Sequence, residues 1–452
     1  MKKKKILLIS ANQFTIPYPV YPIGLSYISS YLKSRLPGYD IRIFDLVLNN
    51  IDELIEYLKD FNPGFIGVSL RNIDDVNIYN KESFINNYKN IIEKIKKNTK
   101  SKIIIGGSGF SIFPETLFEY LKPDFGIFGE GEESFYKLIC SFDNNSDFRN
   151  IEGLVYVENN NIVLNKRTNY FKNPDFCFEE NLIDYYWKYS GMLNIQSKRG
   201  CPYNCVYCTY PLIEGSKVRL LNTDKIIEAL SDIYFKKGID YIFFTDSVFN
   251  LNNDFNFELA EKIIKNKIKI KWGAYFSLHN LDEKLLILLK KAGLTHIEFG
   301  TESLCNTTLK SYRKPFTVSD IIEKSELCNK LSIDFAHFLI LGGYGETEDT
   351  LNETFENSKK INRTVFFPFT GMRIYPGTKL HEIAIKEKII SKNDNLLEPK
   401  YYISYKIDIS TLKDKALKTG KRWVFPDEDM SKVMNKMRLK NKKGPLWEYL
   451  IK

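Results

Sequence analysis

Histidine is scarce in this chain: there are four in 452 residues, the first at position 279. No histidine of the first 278 residues is available as a metal ligand. Long apolar runs are missing too. None approaches the roughly 18 residues of a membrane-crossing helix. The basic start, MKKKKILLIS, holds an apolar run of only four residues. A secretory signal needs about 7–15, so the expected location is the cytoplasm. The 25 glycines and 16 prolines are too few for a collagen-like or low-complexity chain. What is present, 43% hydrophobic residues, is enough for a sizeable core, and the length suggests about three domains.

Charge is uneven. Residues 411–452 carry 12 Lys/Arg against 5 Asp/Glu, most of the net +9. Such a tail is read first as a solvated helix face, with an anionic partner as the alternative. Seven cysteines cannot all pair, and a cytoplasmic chain keeps them reduced. Cys140, Cys177, Cys305 and Cys328 stand singly in apolar or helical stretches and are expected in the core. Cys201, Cys205 and Cys208 fall within eight residues and need a chemical explanation.

Along residues 1–150, short β-rich runs alternate with amphipathic stretches. The runs are 5–10 (KILLIS), 41–45, 65–70, 102–105 and 126–128. The last two run into glycine turns, Gly106-Gly107-Ser108-Gly109 and Gly129-Glu130-Gly131-Glu132. This alternation predicts a doubly wound parallel α/β sheet, whose ligands sit beyond the carboxyl ends of the strands. Residues 151–193 are expected to be a hairpin (154–164) and an aromatic linker packed on a surface. A second βα series fills 194–392, with strands at 194–197, 241–245, 270–276, 297–300, 335–341 and 370–375. Six units are too few for an eight-unit barrel, so a partial (β/α)6 barrel is expected, followed by a small cap at 393–452.

Cys201-Pro-Tyr-Asn-Cys205-Val-Tyr207-Cys208 follows the first strand of that series. Zinc would want a fourth ligand, and the nearest histidine in sequence is His279. An iron–sulfur cluster on three thiolates leaves one iron open to an external ligand. The CxxxCxxC pattern resembles the radical S-adenosylmethionine (SAM) superfamily. That resemblance implies a [4Fe–4S] cluster on Cys201, Cys205 and Cys208, with SAM on the fourth iron. It further implies SAM contacts at Tyr207, at Asp246 after the second strand, at Glu302 in Gly300-Thr-Glu-Ser303, and at Gly343 in Gly342-Gly-Tyr-Gly-Glu-Thr347. Tyr344 stands where the family's "GxPGET" turn has proline, and Tyr375-Pro-Gly-Thr378 resembles its "PGT" turn.

The first 140 residues resemble the cobalamin-binding domain that precedes the barrel in a large subset of that superfamily, a Rossmann-like fold. The resemblance implies corrin contacts at Gly106, Gly107, Ser108, Gly129, Glu130 and Gly131. With no histidine in this domain, cobalamin binds without one beneath it. Arg71 is the candidate for the lower cobalt face, and its alternative is an ion pair with Asp74 or Asp75. The function so implied is a cobalamin-dependent methyltransferase acting on an unactivated carbon. A radical SAM enzyme that forms rings, couples or rearranges without methyl transfer is the alternative, and a cobalamin or iron–sulfur sensor is a third reading. A methylthiotransferase needs three further cysteines before the barrel, and only Cys140 and Cys177 precede Cys201. Expected partners are a small-molecule, lipid or peptide substrate and a one-electron donor such as flavodoxin or ferredoxin. No helix-turn-helix accompanies the basic tail, so DNA is not expected.

Overall fold

The aliphatic runs become the strands of two separate sheets, each in its own compact unit. A computed structural model describes residues 3–171 and 174–451. Met1 and Lys2 of the basic start, Lys172 and Asn173 of the expected linker, and Lys452 of the expected cap lie outside them. One unit comprises Met1–Asp75, Glu82–Tyr185 and Leu212–Gly215; the other comprises Val76–Lys81, Tyr186–Pro211 and Ser216–Lys452.

The first sheet contains β1 (Lys4–Ser10), β2 (Tyr39–Asp45), β3 (Phe65–Ser69), β4 (Lys102–Gly106), β5 (Phe125–Ile127), β6 (Leu154–Glu158) and β7 (Asn161–Leu164), in the order β2-β1-β3-β4-β5-β6-β7. It is parallel through β5. Ile6, Leu7, Leu8 and Ile9 are all fully buried, as a strand covered on both faces requires. In β3, a side chain on Gly67 would meet the Phe135 ring at 2.8 Å, so glycine lets the helix Glu132–Asp143 close on the sheet.

The hairpin turns at Asn159 and Asn160, both with positive φ, which asparagine tolerates. It pairs antiparallel to β5 and so extends the first sheet. The aromatic stretch after it also belongs to the first unit. Phe171, Phe176 and Phe178 lie 5.1, 4.6 and 5.5 Å from the rings of Tyr31, Tyr27 and Tyr21.

The second unit opens with β8 (Leu193–Ile195). The short strands β9 (Lys198–Arg199) and β10 (Arg219–Leu220) then pair antiparallel. There follow β11 (Tyr241–Phe244), β12 (Lys271–Phe276), β13 (Leu294–Glu302), β14 (Asp334–Leu341) and β15 (Thr364–Thr370). The helices between them start at side-chain caps such as Asn222, Asp282 and the Thr317–Asp320 capping box. The sixth barrel strand is thus 364–370, not 370–375. Residues 372–373 instead form β16 (Met372–Arg373), which pairs antiparallel with β17 (Tyr401–Tyr402). A seventh strand, β18 (Arg422–Trp423), comes from the stretch expected to be a separate cap. The parallel sheet runs β18-β15-β14-β13-β12-β11-β8.

The chain's end closes the amino-terminal mouth of this partial barrel. Trp447 packs with Ala336, Val365 and Val424 and donates its indole N–H to Glu298 at 2.9 Å. Glu448 accepts from the Tyr241 hydroxyl at 2.7 Å and lies 2.9 Å from His296 Nδ1. Tyr241 reaches His296 at 2.8 Å across β12, where Gly273 makes the room: a Cβ there would sit 2.0 Å from the imidazole. Among the single cysteines, Cys305 and Cys328 are buried and Cys140 is half-buried. Cys177 is exposed, against the expectation of a core position, because its aromatic neighbours take the inward places.

Candidate active site

The cysteine loop leaves the carboxyl end of the second sheet under tight restraint. The Asp246 carboxylate, just past β11, accepts from Ser197 N at 2.6 Å, Ser197 Oγ at 2.5 Å, Lys198 N at 3.1 Å and Lys198 Nζ at 3.2 Å. Both charged side chains are 1% exposed. The Lys198 ammonium also lies 4.1 Å from the Phe249 ring centroid, and its burial pulls its pKa down against the pull of Asp246. All this acceptor capacity is spent on the segment that leads into Cys201. Asp246, expected from the sequence to contact SAM, holds the segment that leads into Cys201.

Within the loop, Val206 N donates to Tyr312 O at 3.3 Å, and Val206 O accepts from Leu380 N at 2.7 Å. Cys201 is buried, and Cys205 and Cys208 are half-buried. Burial raises all three thiols, that of Cys208 to about 12; Cys201 and Cys208 also feel cysteine neighbours as like charges, and Cys205 feels Glu302. The Lys314 ammonium opposes this in every case. Among the described residues no three His, Cys, Asp or Glu side chains converge as ligands of one ion. A cluster carries its cysteines on separate irons, so its sulfurs stand farther apart than those around one zinc. Three thiols in one loop beside the buried Lys314 ammonium fit that group.

Tyr207, between the last two cysteines, donates to Glu302 Oε1 at 2.7 Å, and Lys314 Nζ reaches the same oxygen at 3.4 Å. Glu302 has φ +66 where β13 loses register with β14, which turns its side chain to this cluster of groups. Lys314 was invisible to sequence reasoning: nothing in Ser311-Tyr-Arg-Lys314 separates it from Arg313 beside it.

Gly343 lies against buried Tyr312, and a Cβ there would meet the phenol oxygen at 2.2 Å. The buried Glu346 side chain accepts from Gly342 N with one oxygen, while its other oxygen is buried without a hydrogen-bond partner. Burial pushes this carboxyl up to about 8. The turn is braced by Ser404, whose N–H donates to Gly342 O at 2.8 Å and whose hydroxyl donates to Glu346 O at 2.7 Å. Tyr344, in the place expected of proline, sets its ring edge-on to Tyr402 at 5.7 Å.

In the first unit, the ends of β3 and β4 come together. Gly107 has φ +96, and a Cβ would lie 2.7 Å from Leu70 O. Leu70 N donates to Gly106 O at 2.8 Å, Ser108 Oγ to Arg71 O at 2.8 Å, and Arg71 Nε to Asn72 Oδ1 at 3.2 Å. Arg71, Gly106, Gly107 and Ser108 thus share one ledge. The turn at Gly129, Glu130 and Gly131 is held by Arg167 of the expected linker. Its Nη2 donates to Phe128 O at 3.1 Å, Glu130 O at 2.7 Å and Ser134 Oγ at 2.9 Å. Glu130 Oε2 accepts from Phe171 N at 2.7 Å. Arg167 also escaped the sequence reading, because its partners are backbone oxygens with no sequence signature.

Two family matches coincide with these two sites. Residues 9–139 match the B12 binding domain, and residues 195–357 match the Radical SAM superfamily. An uncharacterised methyltransferase of Pyrococcus horikoshii is 26% identical over 406 residues, 86% of this chain and 85% of that protein. The anaerobic magnesium-protoporphyrin IX monomethyl ester cyclase of Rubrivivax gelatinosus is 24% identical over 362 residues, 75% of this chain and 62% of the cyclase. Among solved structures, the radical SAM methyltransferase TsrM of Kitasatospora setae, with cobalamin and a [4Fe–4S] cluster bound, superposes with a TM-score of 0.79. The sequences are 20% identical, and the match covers 85% of this chain and 75% of that one. The chain thus carries a B12-binding domain followed by a radical SAM domain.

Proposed function

We propose that the chain is a cobalamin-dependent radical SAM methyltransferase that places a methyl group on an unactivated carbon. The observation that carries this is the presence in one chain of two ligand platforms at carboxyl ends of parallel strands. One is the three-thiol loop beside Lys314; the other is the glycine ledge at Gly106–Ser108. Bound together, the cluster, SAM and cobalamin supply a one-electron cleavage of SAM and a transferable methyl group.

Cys201, Cys205 and Cys208 would hold the cluster, and Lys314 would offset the negative charge gathered there. Tyr207, Asp246, Glu302 and Gly343 would line the SAM position. Asp246 and Lys198 serve it by fixing the loop. Arg71, Gly106, Gly107, Ser108, Gly129, Glu130 and Gly131 form the corrin face. The first unit has no histidine that could ligate a bound cobalt, and Arg71 cannot lose its proton to become a ligand. A flavodoxin- or ferredoxin-like donor in the reducing cytoplasm goes with this reading; among the described residues no helix is long and apolar enough to cross a membrane.

The test is an anaerobic reaction with SAM deuterated on its methyl group, run with candidate small-molecule, lipid or peptide substrates. A product carrying the deuterated methyl supports the reading. Substrate conversion with SAM cleavage and no label transfer points to the non-methylating radical enzyme.

A further inference from the structure

One residue of the cysteine loop is tied by its backbone to two segments that reach the surface. Val206, next to Cys205, donates its N–H to Tyr312 O at 3.3 Å, and its carbonyl accepts from Leu380 N at 2.7 Å. Tyr312 follows the helix Asn306–Ser311, and Leu380 is the second residue of the helix Lys379–Lys386. Tyr312 and Leu380 are buried, but the residues beside them, Arg313 and Lys379, are exposed. Lys310 and Lys386 are exposed as well. Residues 306–313 and 379–386 thus show four cations to solvent against one carboxylate, that of Glu382. Glu382 lies 2.5 Å from Lys379 Nζ. Lys379, then His381 and Arg313, hold its carboxyl below the usual range, so all three cluster around it.

An electron bound for a cluster in this loop tunnels best over a short gap. Here the peptides of two surface cations each lie one hydrogen bond from the residue beside Cys205. Exposed cations at that point attract a negatively charged protein surface and set its orientation. The other basic stretch, residues 411–452, stands at the far end of the barrel. Its Trp447 lies 5.4 Å from His296, near the start of β13, whereas the cysteine loop meets Glu302 at the end of that strand. The six residues between those points span about 20 Å.

We propose that Lys310, Arg313, Lys379 and Lys386 form the docking surface for an acidic one-electron carrier protein, of the flavodoxin or ferredoxin class, that reduces the cluster. One electron crosses: the carrier is oxidised by one electron, the cluster is reduced by one, and no bond of this chain is made or broken. The assignment rests on the enzyme reading given above.

The test uses the full-length protein, anaerobically reconstituted, with reduced bacterial flavodoxin as the probe. Binding should weaken about tenfold between about 50 and 300 mM salt. Arg313→Glu and Lys379→Glu should each weaken it about tenfold at low salt, with iron content unchanged, and should slow cluster reduction by flavodoxin to match. Reduction by photoreduced 5-deazariboflavin, small and uncharged, should keep its native rate. Lys432→Glu and Lys436→Glu make the same charge change on the basic tail and should leave flavodoxin binding near native. Full binding in both patch variants, equal weakening in the tail variants, or tighter binding of a short single-stranded RNA at the same residues overturns the proposal. Native binding that is absent or indifferent to salt overturns it even where a variant misfolds. Any of these results in protein that holds about four irons refutes the docking surface alone. Native protein that assembles no cluster refutes the enzyme reading itself.

Discussion

Lys314 and Glu346 are single side chains whose surroundings set measurable quantities. A buried cation beside three thiolates stabilises the more negative, reduced cluster. Lys314→Met should lower the reduced fraction at a fixed potential by about tenfold, while Lys314→Arg should keep it near the native value. Spin quantitation of the reduced cluster reads both, and equal fractions in all three proteins would contradict the assignment. Glu346 makes a pH-dependent contribution to stability. Its pKa rises from 4.5 to about 8 on folding. The stability it lends is complete below 4.5 and is lost as pH rises through 8. Glu346→Gln should therefore flatten the decline in urea midpoint between pH 5 and 8, and parallel profiles for the two proteins would refute this. Asp246 shows where sequence reasoning stops. A carboxylate after a barrel strand is legible, but its saturation by Ser197 and Lys198 is a matter of three-dimensional contact. Asp246→Asn leaves a buried ammonium without its counter-charge and should cost about 3–5 kcal/mol by urea unfolding, with iron retention falling alongside.

At the scale of elements, the parallel strands were legible because their aliphatic runs are continuous and end at glycine turns. The cysteine loop was legible from spacing alone. Three features were not. The hairpin of β6 and β7 was legible as a hairpin, but its place in the first sheet was not, because its pairing to β5 is non-local. The sixth strand was displaced because 364–370 and 370–375 are both apolar and aromatic, and only the pairing of Met372 with Tyr402 separates them. The plug at Trp447 is distant in sequence from everything it touches: its partner Glu298 lies 149 residues away. Removing that indole leaves a cavity among Ala336, Val365 and Val424 and an unpaired Glu298. Trp447→Ala should cost about 3–5 kcal/mol, read from the urea midpoint. An unchanged midpoint would mean that the chain's end contributes nothing to the barrel's stability.

For the whole molecule, two units with separate cores carry separate ligand platforms, so loss of one cofactor need not carry loss of the other. Most of the division was readable from the change between two βα series. The stretch after the hairpin was not, because Arg167 and Phe171 act on the turn at Glu130 through the backbone, which composition does not reveal. The most direct test of the central claim counts iron and cobalt per chain after anaerobic reconstitution with iron, sulfide and hydroxocobalamin. The account predicts about four irons and about one corrin in the native protein. It predicts about one corrin and no cluster in Cys205→Ala, with the native counts in Cys177→Ala, whose thiol is exposed and far from the loop in sequence. Iron retained in Cys205→Ala, or a native protein that takes up no corrin, would contradict it.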